Sequence, residues 1–308
     1  MEAASEKAAI ARLSVYSNSL LVVLKVVVGV FMGSVAVLSE AIHSGMDLLA
    51  ALIARYSVKK SAEPADTDHR YGHGKFENLS GMIEGVLIFV AAAWIIYEAS
   101  KRLMDEFQVD FPIAGMAVMA VSALLNWYVS VRLFKVARKT DSLALEADAY
   151  HLRTDVWTSV GVFVAMGLIQ LTGFELFDPL VAMFVAALII HAAYDITRRS
   201  TEGLLDKSLP EGEIRLIERV LNEHACDFIN FHRLRARKTG SERQIDLHVT
   251  VPKNLSVKEG HDLVSHLEQE IRKELPRSII VIHIEPCKED CEKCKMTEPE
   301  FIFRKGTA

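Results

Sequence analysis

Two tetrads of one shape, His43-Ser-Gly-Met-Asp47 and His151-Leu-Arg-Thr-Asp155, sit inside strongly apolar stretches of the chain. Residues four apart share a helix face, so each tetrad aims an imidazole and a carboxylate in one direction. Ionisable groups at bilayer depth cost about 3 kcal/mol or more each on insertion scales, and they line pathways or face partners. Two such pairs set face to face supply two nitrogen and two oxygen ligands, a set suited to tetrahedral Zn²⁺. Any one of these residues alone could be a satisfied polar contact between helices. Four in matched pairs argue for a divalent metal held inside a membrane.

A second group of donors lies in the loop Asp66-Thr-Asp68-His69-Arg-Tyr-Gly-His73-Gly-Lys75. His69 and His73 stand four apart beside two carboxylates, and Gly72 and Gly74 permit tight turns. The loop reads as a second metal site or as a solvated turn, with the spacing favouring the metal. Each tetrad also has an acidic residue three positions earlier on the same face, Glu40 and Asp148, which we read as waystations for metal or protons. Lys25 and Glu84 lie in neighbouring apolar stretches. They read as functional or, with more weight, as snorkelling or ion-paired side chains.

The elements that position these residues follow from hydropathy. The composition is 51% hydrophobic and 24% charged, too apolar for an ordinary soluble protein and too charged for one that is all membrane. A bilayer core needs about 20 apolar residues per helix. Six segments approach that length: Ile10 to Met32, Val35 to Val58, Leu79 to Ala99, Phe111 to Val131, Leu145 to Leu171 and Leu180 to Ile196. Bases cluster at Lys59, Lys60, Arg70 and Lys75, at Arg132, Lys135, Arg138 and Lys139, and at Arg198, Arg199 and Lys207. The alternate loops are base-poor or acidic. The positive-inside rule then puts both termini in the cytoplasm. In antiparallel neighbours His43 falls level with Asp155 and Asp47 with His151. The N-terminus lacks the basic start and cleavage site of a secretory signal.

The long apolar runs stop near Asp206, which divides the chain into a membrane domain (1–205), a small soluble domain (206–287) and a Cys-containing flexible tail (288–308). Helical spacing from Glu213 to His224, strands at Ile229 to Lys238, Arg243 to Val251 and Ser278 to Glu285, and a capping box Ser256-xx-Glu259 before a second helix give the order α-β-β-α-β. This is a small α+β sandwich. Period-2 alternation puts Ile245, Leu247, Val249 and Val251 on one face and His248 on the other; likewise Ile280, Ile282 and Ile284 oppose His283 and Glu285. Cys287, Cys291 and Cys294 suit metal or redox chemistry better than a disulfide framework. They either share metal with a histidine or a partner chain's thiol, capture metal for delivery, or stay reduced and idle. Cys226 reads as a core residue. The formal charge of -5 and the absence of a basic stripe exclude nucleic acid as a partner.

From about Ile10 to Glu285 the chain resembles the cation diffusion facilitator family, and within it the YiiP-like bacterial zinc and iron efflux proteins. The resemblance rests on Ser39-Glu-Ala-Ile-His43-Ser-Gly-Met-Asp47, on Pro64-Ala-Asp66-Thr-Asp68-His69-Arg-Tyr-Gly-His73-Gly-Lys75-Phe-Glu77, and on Asp148-Ala-Tyr-His151-Leu-Arg-Thr-Asp155. It implies a homodimeric metal–proton antiporter of the bacterial inner membrane, not an enzyme, with six transmembrane helices and a cytoplasmic metallochaperone-like domain. By the same resemblance the transport site is His43, Asp47, His151 and Asp155; the loop site is Asp66, His69 and His73. A cytoplasmic binuclear site is His232, His248, His261, His283 and Glu285, and Lys75 with Asp206 locks the protomers together.

Two departures from the family pattern stand out. His43 occupies a position where the bacterial relatives carry aspartate, which tilts selectivity toward zinc and away from harder or larger cations. Glu285 stands where aspartate is usual, which makes a binuclear centre less secure than a mononuclear one. The expected activity is export of Zn²⁺ in exchange for protons, since metal binding requires deprotonated ligands and imidazole titrates near pH 6.5. A broad exporter of Fe²⁺, Co²⁺, Ni²⁺, Cd²⁺ or Mn²⁺ is the rival within transport. A membrane-bound metal sensor and an intramembrane metalloenzyme are rivals of other classes; for the enzyme no HExxH is present.

Overall fold

The computed structural model of the chain describes residues 2–32, 35–104, 113–174 and 176–288, with side chains over 3–31, 41–104, 116–174 and 176–288. Glu40, as a side chain, and Cys291 and Cys294 therefore lie outside the described residues, as does the tail beyond Lys288. The chain forms two compact units, Met1–Leu205 and Asp206–Ala308.

The first unit contains the helices α1 (Glu2–Met32), α2 (Val35–Ser61), α3 (Lys75–Met104), α4 (Ile113–Thr140), α5 (Leu143–Thr172) and α6 (Phe177–Leu204). Among the described residues, α1, α3, α4, α5 and α6 each contain a stretch long and apolar enough to cross a membrane. α3, α5 and α6 outrun the apolar segments at both ends, α1 does so only at its start, and α2 and α4 only at their ends, because a helix ends where its backbone hydrogen bonds find another partner, not where hydrophobicity stops. At the end of α5, Gly173 takes a left-handed conformation, φ 74°, and its N–H donates to the Ile169 carbonyl at 2.7 Å.

Packing in this unit relies on small residues. A Cβ at Gly81 would collide with Ser200 Oγ, one at Gly85 with Thr197 Oγ1, and one at Gly203 with the Asn78 amide, so α3 and α6 interlock closely. Ile88, Ala92, Ile189 and Ala193 fill the seam. Leu133, Leu145, Ala149 and Leu152 do the same where α4 meets α5. Large apolar residues such as Phe31, Leu124 and Phe184 point outward instead. Water tolerates such a continuous surface poorly; acyl chains suit it.

One end of the bundle is tied by a buried carboxylate. Glu77 on α3 accepts from Lys7 Nζ of α1 at 2.6 Å, from Ser61 Oγ of α2 at 3.0 Å, and from the hydroxyl of Ser142, the residue that caps α5.

The second unit has the order α7 (Glu211–Glu223), β1 (Asn230–Thr239), β2 (Glu242–Val251), α8 (Val257–Glu274) and β3 (Ser278–Pro286). The sheet order is β1-β2-β3, with β1 antiparallel and β3 parallel to the central β2. Both helices are strongly amphipathic and lay Ile217, Leu221, Leu267 and Ile271 on Ile245, Leu247, Val249 and Ile280. The expected capping box forms: Ser256 Oγ accepts from the Glu259 N–H, and the Ser256 N–H donates to the Glu259 carboxylate at 2.8 Å. Cys226 is exposed, contrary to its reading as a core residue, because it falls in the turn after α7 and not on a buried face.

Candidate metal centres

The two tetrads occupy facing helices, His43 and Asp47 on α2, His151 and Asp155 on α5. His43 Nε2 lies 3.8 Å from Asp155 Oδ1 across the helix pair and 4.0 Å from Asp47 Oδ1 within its own helix. His151 Nε2 lies 3.1 Å from Asp47 Oδ1. One donor atom each from His43, Asp47 and Asp155 fall within 4.8 Å of one another, close enough to ligate a single ion. His151 reaches that cluster through Asp47. All four residues line a cavity of about 530 Å³ that also touches Lys25, Met46, Ser122 and Asn126. Asp47 is 3% exposed and His151 7%, so the carboxylate and imidazole are removed from bulk solvent.

Asn126 was not flagged by the sequence reading. Its side-chain amide donates to Asp155 Oδ2 at 3.2 Å, orienting one carboxylate oxygen and leaving the other toward His43. The available signal was a carboxamide in the otherwise apolar middle of the fourth segment. Lys25 is buried and donates to Ser44 Oγ at 2.8 Å beside the cavity, so it does not snorkel.

The loop between α2 and α3 gathers its own cluster. Donor atoms of Asp66, His69 and His73 lie within 4.8 Å of one another, and the two imidazole rings are 4.5 Å apart between centroids. Asp66 Oδ1 accepts the backbone N–H of His69 at 2.6 Å and that of Asp68 at 3.0 Å. These donors, His69 first, hold the Asp66 carboxyl below the usual carboxylate range and keep it ionised. His73 is 2% exposed, and neither ring nitrogen has a hydrogen-bond partner; its Nε2 faces Asp66 Oδ2 at 3.3 Å. A buried imidazole so placed fits a ligand set. Lys75 donates to the Leu204 carbonyl at 3.3 Å, and Asp206 accepts from Arg237 at 2.8 Å.

The third cluster follows from strand register. His232 pairs with His248 across β1–β2, and His248 with His283 across β2–β3, which places three imidazoles in one row on the sheet. Ring centroids are 5.3 Å apart for His232 and His248, and 4.8 Å for His248 and His283. Glu285, two residues beyond His283 and so on the same face, sits 2.7 Å from His248 Nδ1, 3.4 Å from His232 Nε2 and 3.9 Å from His283 Nε2. The hydrogen bond with His248 holds the Glu285 carboxyl below its ordinary value. The longer side chain of glutamate thus reaches all three rings. Donor atoms of His232, His248 and Glu285 lie within 4.8 Å of one another; His283 stands beside that group in the row, and His261 is exposed on α8 outside it.

Comparison with known proteins identifies the family. Residues 11–205 match the model of the cation efflux transmembrane domain, and residues 209–287 that of the cation efflux protein cytoplasmic domain. An uncharacterized transporter of Synechocystis, sll1263, is 37% identical over 83% of this chain and 83% of its own length. The cation-efflux pump FieF of Salmonella paratyphi A is 29% identical over 91% of this chain and 92% of its own. A solved structure of CzrB in its zinc form is 29% identical, covers 26% of this chain and 92% of that one, and has a TM-score of 0.25. The chain belongs to the cation efflux family, the cation diffusion facilitators, and is a multi-pass membrane transporter and not an enzyme.

Proposed function

We propose that this protein exports Zn²⁺ from the cytoplasm in exchange for protons, as a homodimer in a bacterial inner membrane with six spans and both termini inside. The observation that carries the reading is the convergence of His43, Asp47 and Asp155, with His151 on Asp47, on a cavity walled by helices whose outer faces are apolar. A mixed nitrogen and oxygen set without thiolate binds zinc yet releases it. Zn²⁺ enters from the cytoplasm and displaces protons from the imidazoles. The helices then rearrange, and His43 or His151 takes up a proton from the outside as the metal leaves.

In the cytoplasmic domain, His232, His248, His283 and Glu285 fit a resident Zn²⁺, since the ring spacings match two imidazoles on one tetrahedral ion, about 5 Å between centroids at a metal–nitrogen distance near 2.0 Å. Metal there would brace the three strands and strengthen contact between protomers. The loop residues Asp66, His69 and His73 would hold a further ion at the membrane surface. His261 joins the cytoplasmic set only by movement of α8.

The test is uptake into proteoliposomes of Zn²⁺, Fe²⁺, Co²⁺, Ni²⁺, Cd²⁺ and Mn²⁺, singly and in competition, with and without a pH gradient. Zinc flux driven by the gradient supports the reading. Flux indifferent to the gradient excludes antiport, and equal flux of all ions favours a broad exporter.

A further inference from the structure

Two acidic side chains in the membrane unit stand apart from every cluster described above. Glu84 on α3 is 0% exposed and Asp148 on α5 is 1% exposed. Neither forms an ion pair with a described residue. Glu84 Oε1 accepts only the Ser80 hydroxyl, at 3.0 Å, while Glu84 Oε2 and both Asp148 oxygens are buried with no hydrogen-bond partner.

The helix geometry brings them to one level. Tyr150 and Trp157 of α5 pack against the cluster that holds Ile88 and Ala92 of α3, and as alternate members of an up-and-down succession of helices α3 and α5 run in the same direction. Gly81 abuts the Leu143 carbonyl, 3.7 Å from where its Cβ would be. At a rise of about 1.5 Å per residue, Glu84 then lies about 4.5 Å and Asp148 about 7.5 Å further along, within a turn of each other. Their charges act on one another directly. Asp148 is also one turn from His151 toward the start of α5, so the pair sits between the transport cavity and the end of the bundle tied by Glu77.

The immediate surroundings include several hydroxyl groups. Ser14 of α1 faces Asp148. Ser14 Oγ, Thr197 Oγ1 and Ser200 Oγ are buried without partners of their own. The charged or titratable groups that act on the pair are His151 and Asp155 on α5 and Asp47 on α2. Two carboxylates in a low-dielectric interior with no cation beside them are an uncompensated charge, whose cost is several kcal/mol per ion. Buried polar groups in native proteins are satisfied, so something polar and positive belongs there.

We propose that Glu84 and Asp148 form a cation position one step inward of the transport site, where the two carboxylates share a positive charge. Its donors are all oxygen, carboxylate and hydroxyl, which bind zinc more weakly than the nitrogen-containing cavity. The position therefore passes its occupant on. The occupant is either the divalent ion on its way from the cytoplasm or a proton on its way into it. Sidedness rests on the orientation and antiport proposed above.

The experiment compares wild type with Glu84→Gln, Asp148→Asn and the double variant in proteoliposomes, measuring zinc uptake against zinc concentration and internal pH with a trapped dye. Thermal melting and dimer elution in detergent check folding, and Glu84→Asp serves as the conservative rescue. If the metal pauses at the pair, KM for zinc rises about tenfold with protons moved per zinc unchanged. If a proton resides there, protons per zinc fall and the pH profile flattens with KM unchanged. In both cases Glu84→Asp retains most activity. Folded variants with wild-type KM, proton ratio and pH profile overturn the proposal. So does a loss of activity in the neutral variants that comes with a lowered melting temperature and is matched by Glu84→Asp, since the pair is then structural. Wild-type flux without gradient dependence would instead defeat the antiport reading, independently of these variants.

Discussion

His151 Nε2 lies 3.1 Å from Asp47 Oδ1, a closer approach than either residue makes to the partner in its own tetrad. The cavity is thus knit between helices and not within them. Any motion that separates α2 from α5 pulls these side chains apart, so in the proposed transport cycle metal release and helix movement are coupled.

From that geometry, Asp47→Ala and Asp155→Ala each abolish zinc flux, a loss of at least a hundredfold in proteoliposome uptake. His43→Asp restores the family's more usual donor and lowers the preference for zinc over Fe²⁺, Cd²⁺ or Mn²⁺ by about tenfold, or about 1.4 kcal/mol. Competition uptake checks both.

Asn126→Leu removes the donor to Asp155 Oδ2 and leaves the carboxylate able to swing away from His43. One hydrogen bond to a charged group contributes about 1.5–3 kcal/mol. Apparent zinc affinity should fall about ten- to a hundredfold, with the fold intact by circular dichroism.

Glu77→Ala should be the most damaging single change outside the cavity. Removing one partner of a buried pair strands the other, at a cost of about 3–5 kcal/mol, and here Lys7, Ser61 and Ser142 all lose their acceptor. Thermal melting in detergent reads the loss, and Lys7→Met in the same chain recovers part of it.

Zinc should raise the melting temperature of the cytoplasmic domain in the full chain, and a chelator should reverse it. A ligand at a hundred times its Kd contributes about 2.7 kcal/mol. His248→Ala and Glu285→Ala should abolish the shift, since both sit at the centre of the row, whereas His261→Ala should leave most of it.

The cap of α8 has a defined pH signature. The Ser256 hydroxyl and backbone N–H hold the Glu259 carboxyl below its usual value. A group with a lowered folded value stabilises where it is ionised in both states. The contribution of Glu259 is therefore complete above about pH 4.5 and is lost as pH falls through the lowered value. Hydrogen exchange at the start of α8 should show Glu259→Gln less protected than wild type at neutral pH, the difference closing in acid. Ser256→Ala should cost about 1 kcal/mol.

Periodicity read much of this molecule from the chain. The 3.6-residue repeat placed His43 opposite Asp155, and the two-residue repeat put His248 and His283 on one face with Glu285. Asn126 stayed hidden because an isolated carboxamide in an apolar run has no spacing to betray it. Glu84 was weighed as an ion-paired side chain, since sequence counts charges but does not show which helix faces which; α3 turns it toward Asp148 and not toward a base. His232 came only from family likeness: a bulge between His232 and Arg235 breaks the alternation that would have exposed it.

The glycine contacts between α3 and α6 carry a mechanical consequence. With Gly81 and Gly85 seated against Ser200 and Thr197, and Gly203 against Asn78, the two helices mesh like teeth, a packing that resists axial sliding and rolling. They form a stator. If export proceeds as proposed, by exposing the cavity first to one side and then to the other, the stroke falls to the remaining helices, and an alanine at Gly85 would strain this seam without touching a single proposed metal ligand.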